Sequence, residues 1–233
     1  MTLDHTYASA IVGAQKTHAR KVADFYPTPP DVTFVLLNFL DLKPCTIWEP
    51  ACGDGAMSEV LKYAGHNVLS SDLRYDSGYG MGGADFLKAE SDGSVDWVIT
   101  NPPFSMAAQF IEKALSVTPN VAMLLKSQFW HAKKRQPLFE KHPPAWILPL
   151  TWRPSFLEKE RGSSPLMDVI WVVWTKDATE TRFKPLLRPE KTVLGNEGKI
   201  DFLHERFENQ SLVKHDTRNY ATSNIDDLDD LLG

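Results

Sequence analysis

The segment Val95-Asp96-Trp97-Val98-Ile99-Thr100-Asn101-Pro102-Pro103-Phe104 runs a stretch of β-branched and aromatic residues straight into a polar and proline stop. Short apolar runs of this kind between turn signals read as buried strands, and proline ends a strand because it has no N–H for the ladder. An Asn-Pro turn accounts for the stop by itself. A polar-Pro-Pro-aromatic tetrapeptide, however, arises by chance in only roughly one chain of this size in a hundred. Asn101 to Phe104 is therefore a candidate site at the carboxyl end of a strand.

The same pattern extends to both sides. Candidate strands lie at Thr46 to Glu49, Asn67 to Ser71, Val95 to Thr100, Val121 to Lys126, Ala145 to Leu150 and Val169 to Trp174. Between them, Val32, Val35, Leu36, Phe39 and Leu40 keep the spacing of one helix face, as do Met57, Val60, Leu61 and Ala64, and again Ala107, Phe110, Ile111, Ala114 and Leu115. Ser105 is placed to cap the third of these helices. Strand and helix in alternation predict an α/β fold, a doubly wound, mostly parallel sheet with helices on both faces and ligands at the carboxyl ends of its strands.

Glu49-Pro50-Ala51-Cys52-Gly53-Asp54-Gly55 follows the first strand and opens a helix. Glycines at such a turn let backbone pass close to a flat ligand and adopt dihedrals that side chains forbid. Ser58 stands where a dinucleotide fingerprint has its third glycine, and no P-loop lysine follows, so NAD, FAD and ATP hydrolysis are disfavoured. Asp72, seventeen residues after Gly55 and at the end of the next strand, is placed to accept ribose hydroxyls. A structural turn and a surface aspartate would explain these residues equally well when they are taken alone.

With 233 residues, 42% of them hydrophobic and 24% charged, the chain can bury a substantial core and is not globally disordered. Cys45 and Cys52 lie outside any metal-ligand spacing, which fits a reducing cytoplasm and a site without metal. No apolar run is long enough for a membrane span, and the first residues lack a signal-peptide core. The net charge of -5 is misleading, because four aspartates among the last thirteen residues supply most of it. Lys126 to His142, by contrast, carries five basic residues against Glu140, with Phe129, Trp130 and Phe139 between them. Such a patch suits a polyanion; a solvated helix face is the plain alternative.

Taken together, the tetrapeptide and the glycine loop resemble the S-adenosylmethionine-dependent DNA N6-adenine methyltransferases, in particular small phage-type enzymes, over about Asp24 to Trp174. The resemblance implies a seven-stranded, Rossmann-like sheet with S-adenosylmethionine as cofactor and no catalytic metal. It implies that Asn101, Pro102, Pro103 and Phe104 act on a flipped-out adenine, and that Glu49, Ala51, Gly53 and Gly55 wrap the methionine part of the cofactor. Asp72 would then hold the ribose. Asp85 would take the adenine amino group with Phe86 beside the ring, although Asp85 also reads as a helix N-cap. Phe25-Tyr26-Pro27-Thr28-Pro29 is similar to the upstream motif, so Tyr26, Thr28 and Pro29 would close over the methionyl end. Thr151 to Phe156 is similar to a downstream motif in which an aromatic, here Trp152 or Phe156, packs on the base, unless these aromatics are simply buried; nearby Arg153 is a candidate phosphate contact.

The order of motifs resembles the gamma arrangement without a separate target-reading domain. Lys126, Trp130, Lys133, Lys134 and Arg135 are the expected nucleic-acid contacts, with duplex DNA the first choice of partner and RNA the second. The expected division is an arm at 1–23, the catalytic domain at 24–188 and a weakly structured extension at 189–233. Ile225, Leu228, Leu231 and Leu232 among the tail's aspartates form either a solvated end or a short motif for a protein partner. Cytosine N4 transfer, protein glutamine methylation and a catalytically silent nucleic-acid-binding subunit are the competing readings; the intact motif positions count against the last.

Overall fold

The computed structural model describes residues 27–156 and 167–189. Its strands are β1 (Thr46–Glu49), β2 (Asn67–Asp72), β3 (Met81–Gly82), β4 (Trp97–Thr100), β5 (Val121–Lys126), β6 (Trp146–Pro149), β7 (Val169–Trp174) and β8 (Arg182–Phe183). They form one sheet in the order β3-β2-β1-β4-β5-β7-β6-β8. β1 pairs in parallel with β2 on one side and β4 on the other, and β4 pairs in parallel with β5. Chain order thus reverses between β1 and β4, which opens a crevice at their carboxyl ends.

Every second residue of a strand faces the same way, and here the two sets build two cores. Ile47, Ile99, Leu124 and Trp171 join the first, together with Val32, Leu36, Met57 and Leu61 from the helices α1 (Pro30–Leu40) and α2 (Ala56–Tyr63). Trp48, Val98, Met123, Leu125 and Val172 join the second, with Phe110, Ile111 and Ala114 of α3 (Ala107–Val117) and Leu138 of α4 (Gln136–Lys141). β7 is buried along its whole length, which is why it reads as an unbroken apolar run.

The expected strands are all present, and α1 to α3 occupy the predicted helical segments. Three details differ. The two-residue pairings of β3 and β8 extend the sheet to eight strands. β7 runs antiparallel to both β5 and β6, and a run buried on both faces carries no mark of direction. Ser105 does not cap α3: it sits exposed inside a 3-10 turn, Phe104–Met106, and Met106 precedes the helix without a side-chain cap.

α1 is fastened to the middle of the sheet by Trp171, whose Nε1 donates to the Val32 carbonyl at 3.0 Å in the buried interior. Trp171→Phe should lower stability by about 2–3 kcal/mol, from the lost bond and the space left by the smaller ring. Urea unfolding measures this, and an unchanged midpoint would show that α1 does not depend on the bond.

Candidate active site at the carboxyl edge of the sheet

The glycine turn between β1 and α2 is held mainly by backbone. The Cys52 amide donates to the Ser71 carbonyl at 3.0 Å, and the Gly53 amide donates to Asp72 Oδ2 at 2.9 Å. Gly53 and Gly55 both have positive φ, at 57° and 87°, which a side chain would resist. The flat group against Gly55 is the chain's own: a Cβ there would lie 2.4 Å from the Tyr79 ring. The Tyr79 hydroxyl donates to Glu59 and accepts from Lys62 Nζ at 2.5 Å, so both anchors come from α2. Nothing in the motif spacing pointed to Tyr79; the only sequence signal was its place in a glycine-rich loop beyond Asp72.

Asp72 is 7% exposed. It accepts from Gly53 and, through Oδ1, from the Arg74 amide at 2.8 Å and Arg74 Nε at 3.3 Å. A carboxylate has about four acceptor positions, so the group that ties down the glycine turn can still receive one ribose hydroxyl. Glu49, 2% exposed at the end of β1, accepts from the Ser58 hydroxyl of α2. Burial pushes its pKa up to about 8, so near neutrality its carboxyl is largely protonated and can itself donate. Ala51 is half-buried against the second core.

Asn101 stands directly after β4. Its Nδ2 donates to Thr28 Oγ1 at 3.1 Å across 73 positions of sequence. The bond joins the upstream segment to the tetrapeptide and makes Oδ1 the opposite atom of that amide. Thr28 is buried, and the Pro29 carbonyl accepts the Val32 amide as α1 begins. Pro102 is buried and Pro103 leads into the 3-10 turn that starts at Phe104. The Phe104 ring packs partly on the first core, with Lys126 Nζ 4.6 Å from its centre. Trp152 and Arg153 line a groove with Ser127, Leu150 and Asp168 at the same edge.

Several other expected contacts are engaged by partners within the protein. Phe86, expected beside a cofactor ring, is 2% exposed and packs 5.0 Å from Trp48 and 5.1 Å from Phe110. Asp85 accepts from the Leu87 amide at 3.1 Å and pairs with Lys88 at 3.0 Å at the head of a turn that leads into no helix, so it is not the helix N-cap its sequence also suggested, and the Lys88 bond holds its pKa below the usual carboxylate value. Arg135 donates to the Phe129 carbonyl at 2.6 Å and stacks on that ring, while Arg153 pairs with Asp168 at 2.6 Å. Phe156 is 5% exposed in the first core. Lys133 and Lys134 are exposed, beside Trp130 packed on Phe139 at 4.4 Å. Tyr26, the arm at 1–23 and most of the extension at 189–233, with its acidic end, lie outside the described residues.

Solved structures share this architecture. The methyltransferase subunit of a type I restriction-modification system from Streptococcus thermophilus matches with a TM-score of 0.52 at 15% identity, over 84% of this chain and 55% of that one. A "putative class I S-adenosylmethionine-dependent methyltransferase" from Listeria monocytogenes matches with a TM-score of 0.52 at 14% identity, over 89% of this chain and 76% of that one. The likeness is one of fold, a Rossmann-like, mostly parallel α/β sheet with helices on both faces. A "putative RNA methyltransferase" from Pyrococcus horikoshii has a TM-score of 0.50 at 16% identity, covering 75% of this chain and 99% of that one. The chain thus spans about half the length of the Streptococcus subunit. It matches no family model and no curated protein. Among the described residues no helix is long and apolar enough to cross a membrane, and no cluster of His, Cys, Asp and Glu could hold a metal ion.

The raised pKa of Glu49 has a measurable consequence. The folded protein keeps this proton while the unfolded chain loses it near pH 4.5. Its contribution to stability is therefore complete below about pH 4.5 and is lost as pH rises through about 8. Melting curves at pH 5 and pH 8 should show Glu49→Gln losing less stability than the parent over that interval, by about 10 °C. Identical losses would mean that Glu49 is not the titrating group.

Proposed function

We propose that the protein transfers a methyl group from S-adenosylmethionine to the N6 amino group of adenine in DNA. The observation that carries this reading is the bond from Asn101 to Thr28, which fixes the tetrapeptide's amide at the crevice where the glycine turn and Asp72 also end. The residues at that crevice fit the cofactor. Asp72 retains acceptor capacity for a ribose hydroxyl, and the backbone of Gly53 to Gly55 lies beside it. When bound, S-adenosylmethionine supplies an electrophilic methyl group on a sulfonium sulfur.

An exocyclic adenine amine is a poor nucleophile because its lone pair is delocalised into the ring. Asn101 Oδ1 and the Pro102 carbonyl each accept one amino hydrogen, which favours a pyramidal nitrogen with its lone pair turned to the methyl group. Rigid prolines keep both acceptors in place, so the rate comes from positioning and from charge placed in advance. The proton released on transfer leaves to water from one of these two bonds. Phe104 stacks on the base, which must first leave the duplex, and Trp152 lines a groove at the same edge of the sheet. Exposed Lys133 and Lys134 neutralise backbone phosphates. Among the described residues, Arg135 is bonded to the Phe129 carbonyl and Arg153 is paired with Asp168, which leaves fewer cations to read sequence and supports short or loose specificity.

Adenine in RNA is the second reading, favoured by the Pyrococcus structure, nearly all of which the match covers. The amine chemistry is the same for both polymers.

Asn101→Ala should lower methyl transfer by about a hundred- to a thousand-fold and leave binding of S-adenosylmethionine, measured by calorimetry, within about threefold. Near-normal turnover in this variant would refute the assignment.

A further inference from the structure

Lys126 belongs to the basic segment by sequence, yet its side chain lies elsewhere in the site. It is the last residue of β5, paired across the ladder with Val169 of β7. β4 and β5 are parallel with Thr100 beside Met123, so Asn101 to Phe104 and Lys126 leave the sheet next to each other at the same edge. The next residue is fixed too, since the Ser127 amide donates to the Asp168 carbonyl at 2.9 Å. Lys126 is half-buried with its ammonium over Phe104. Lys133 and Lys134, in contrast, stand exposed in a later turn.

We propose that Lys126 is a positioning residue of the base pocket, acting through Phe104, and not a phosphate contact. The proposal rests on reading Phe104 as the ring that receives the base. An aromatic face is electron-rich, so a cation placed over it is attracted and resists rotation of the ring. The cation also draws π density towards itself, which lowers the repulsion between Phe104 and a stacked purine. Phe104 needs such a hold because it opens a three-residue 3-10 turn and is packed on the core only in part. A lysine that bound phosphate would release counterions and contribute to the salt dependence of DNA binding. A lysine committed to Phe104 would not.

That difference gives the test. In the full chain, Lys126→Met keeps the length and apolar stem of the side chain and removes the charge, Lys126→Arg keeps a cation, and Lys133→Met is the comparison. Binding to unmethylated plasmid DNA is measured across a salt series, and transfer from labelled S-adenosylmethionine is measured at saturating DNA. Lys126→Met should leave the slope of log K against log salt unchanged and lower kcat about tenfold, with KM for S-adenosylmethionine within about twofold. Lys126→Arg should recover most of the loss, and Lys133→Met, at a residue read as a phosphate contact, should reduce the slope by about 0.9. A reduced slope in Lys126→Met, an unchanged kcat, or no recovery with arginine would each overturn the proposal. The binding arm needs no turnover, so a different methylated base or polymer would be recognised separately.

Discussion

Parallel pairing on both sides of β1 is the constraint from which the site follows. With β2 on one side and β4 on the other, three strands must end together, and helices on both faces leave only the edges of the sheet open. The glycine turn, Asp72 and the Asn-Pro-Pro-Phe segment come from positions 49 to 104 of the chain and share that edge. The upstream segment arrives by another route. α1 packs on the first core, Trp171 holds it there, and Thr28 is thereby carried to Asn101.

Much of the site's chemistry is used to hold the site itself. The Asp72 carboxylate fixes the Gly53 amide, the Tyr79 ring fills the space that Gly55 leaves, and a buried, largely neutral Glu49 links β1 to α2 through Ser58. Preorganisation of this kind is what a reaction limited by orientation requires. It also means that several substitutions here would change stability and ligand affinity together.

Long, strongly patterned elements were legible in the sequence. β1, β5 and β7 have the predicted limits, because six or fewer consecutive apolar residues between turns leave little choice. The direction of β7 was not legible, since residues buried on both faces read the same either way. Nor were β3 and β8, whose two residues each carry no period. At the site, Asn101, the glycine turn and Asp72 stand at the carboxyl ends of the adjacent parallel strands β4, β1 and β2, a placement that the alternation of strand and helix suggested. Spacing could not show that Phe86 turns inwards, that Arg135 bonds to Phe129 or that Arg153 pairs with Asp168, because each depends on a partner set by tertiary packing. Tyr79 went unnoticed for the same reason: it meets Gly55 from a loop beyond β2 that has no strand or helix period.

The most direct measurement is the identity of the methylated nucleoside. Protein incubated with methyl-labelled S-adenosylmethionine and, in separate reactions, duplex DNA, single-stranded DNA and RNA is followed by digestion to nucleosides and chromatography. Label recovered as N6-methyldeoxyadenosine from duplex DNA is the predicted result. Label in N4-methyldeoxycytidine, or no label in any nucleic acid, would contradict it.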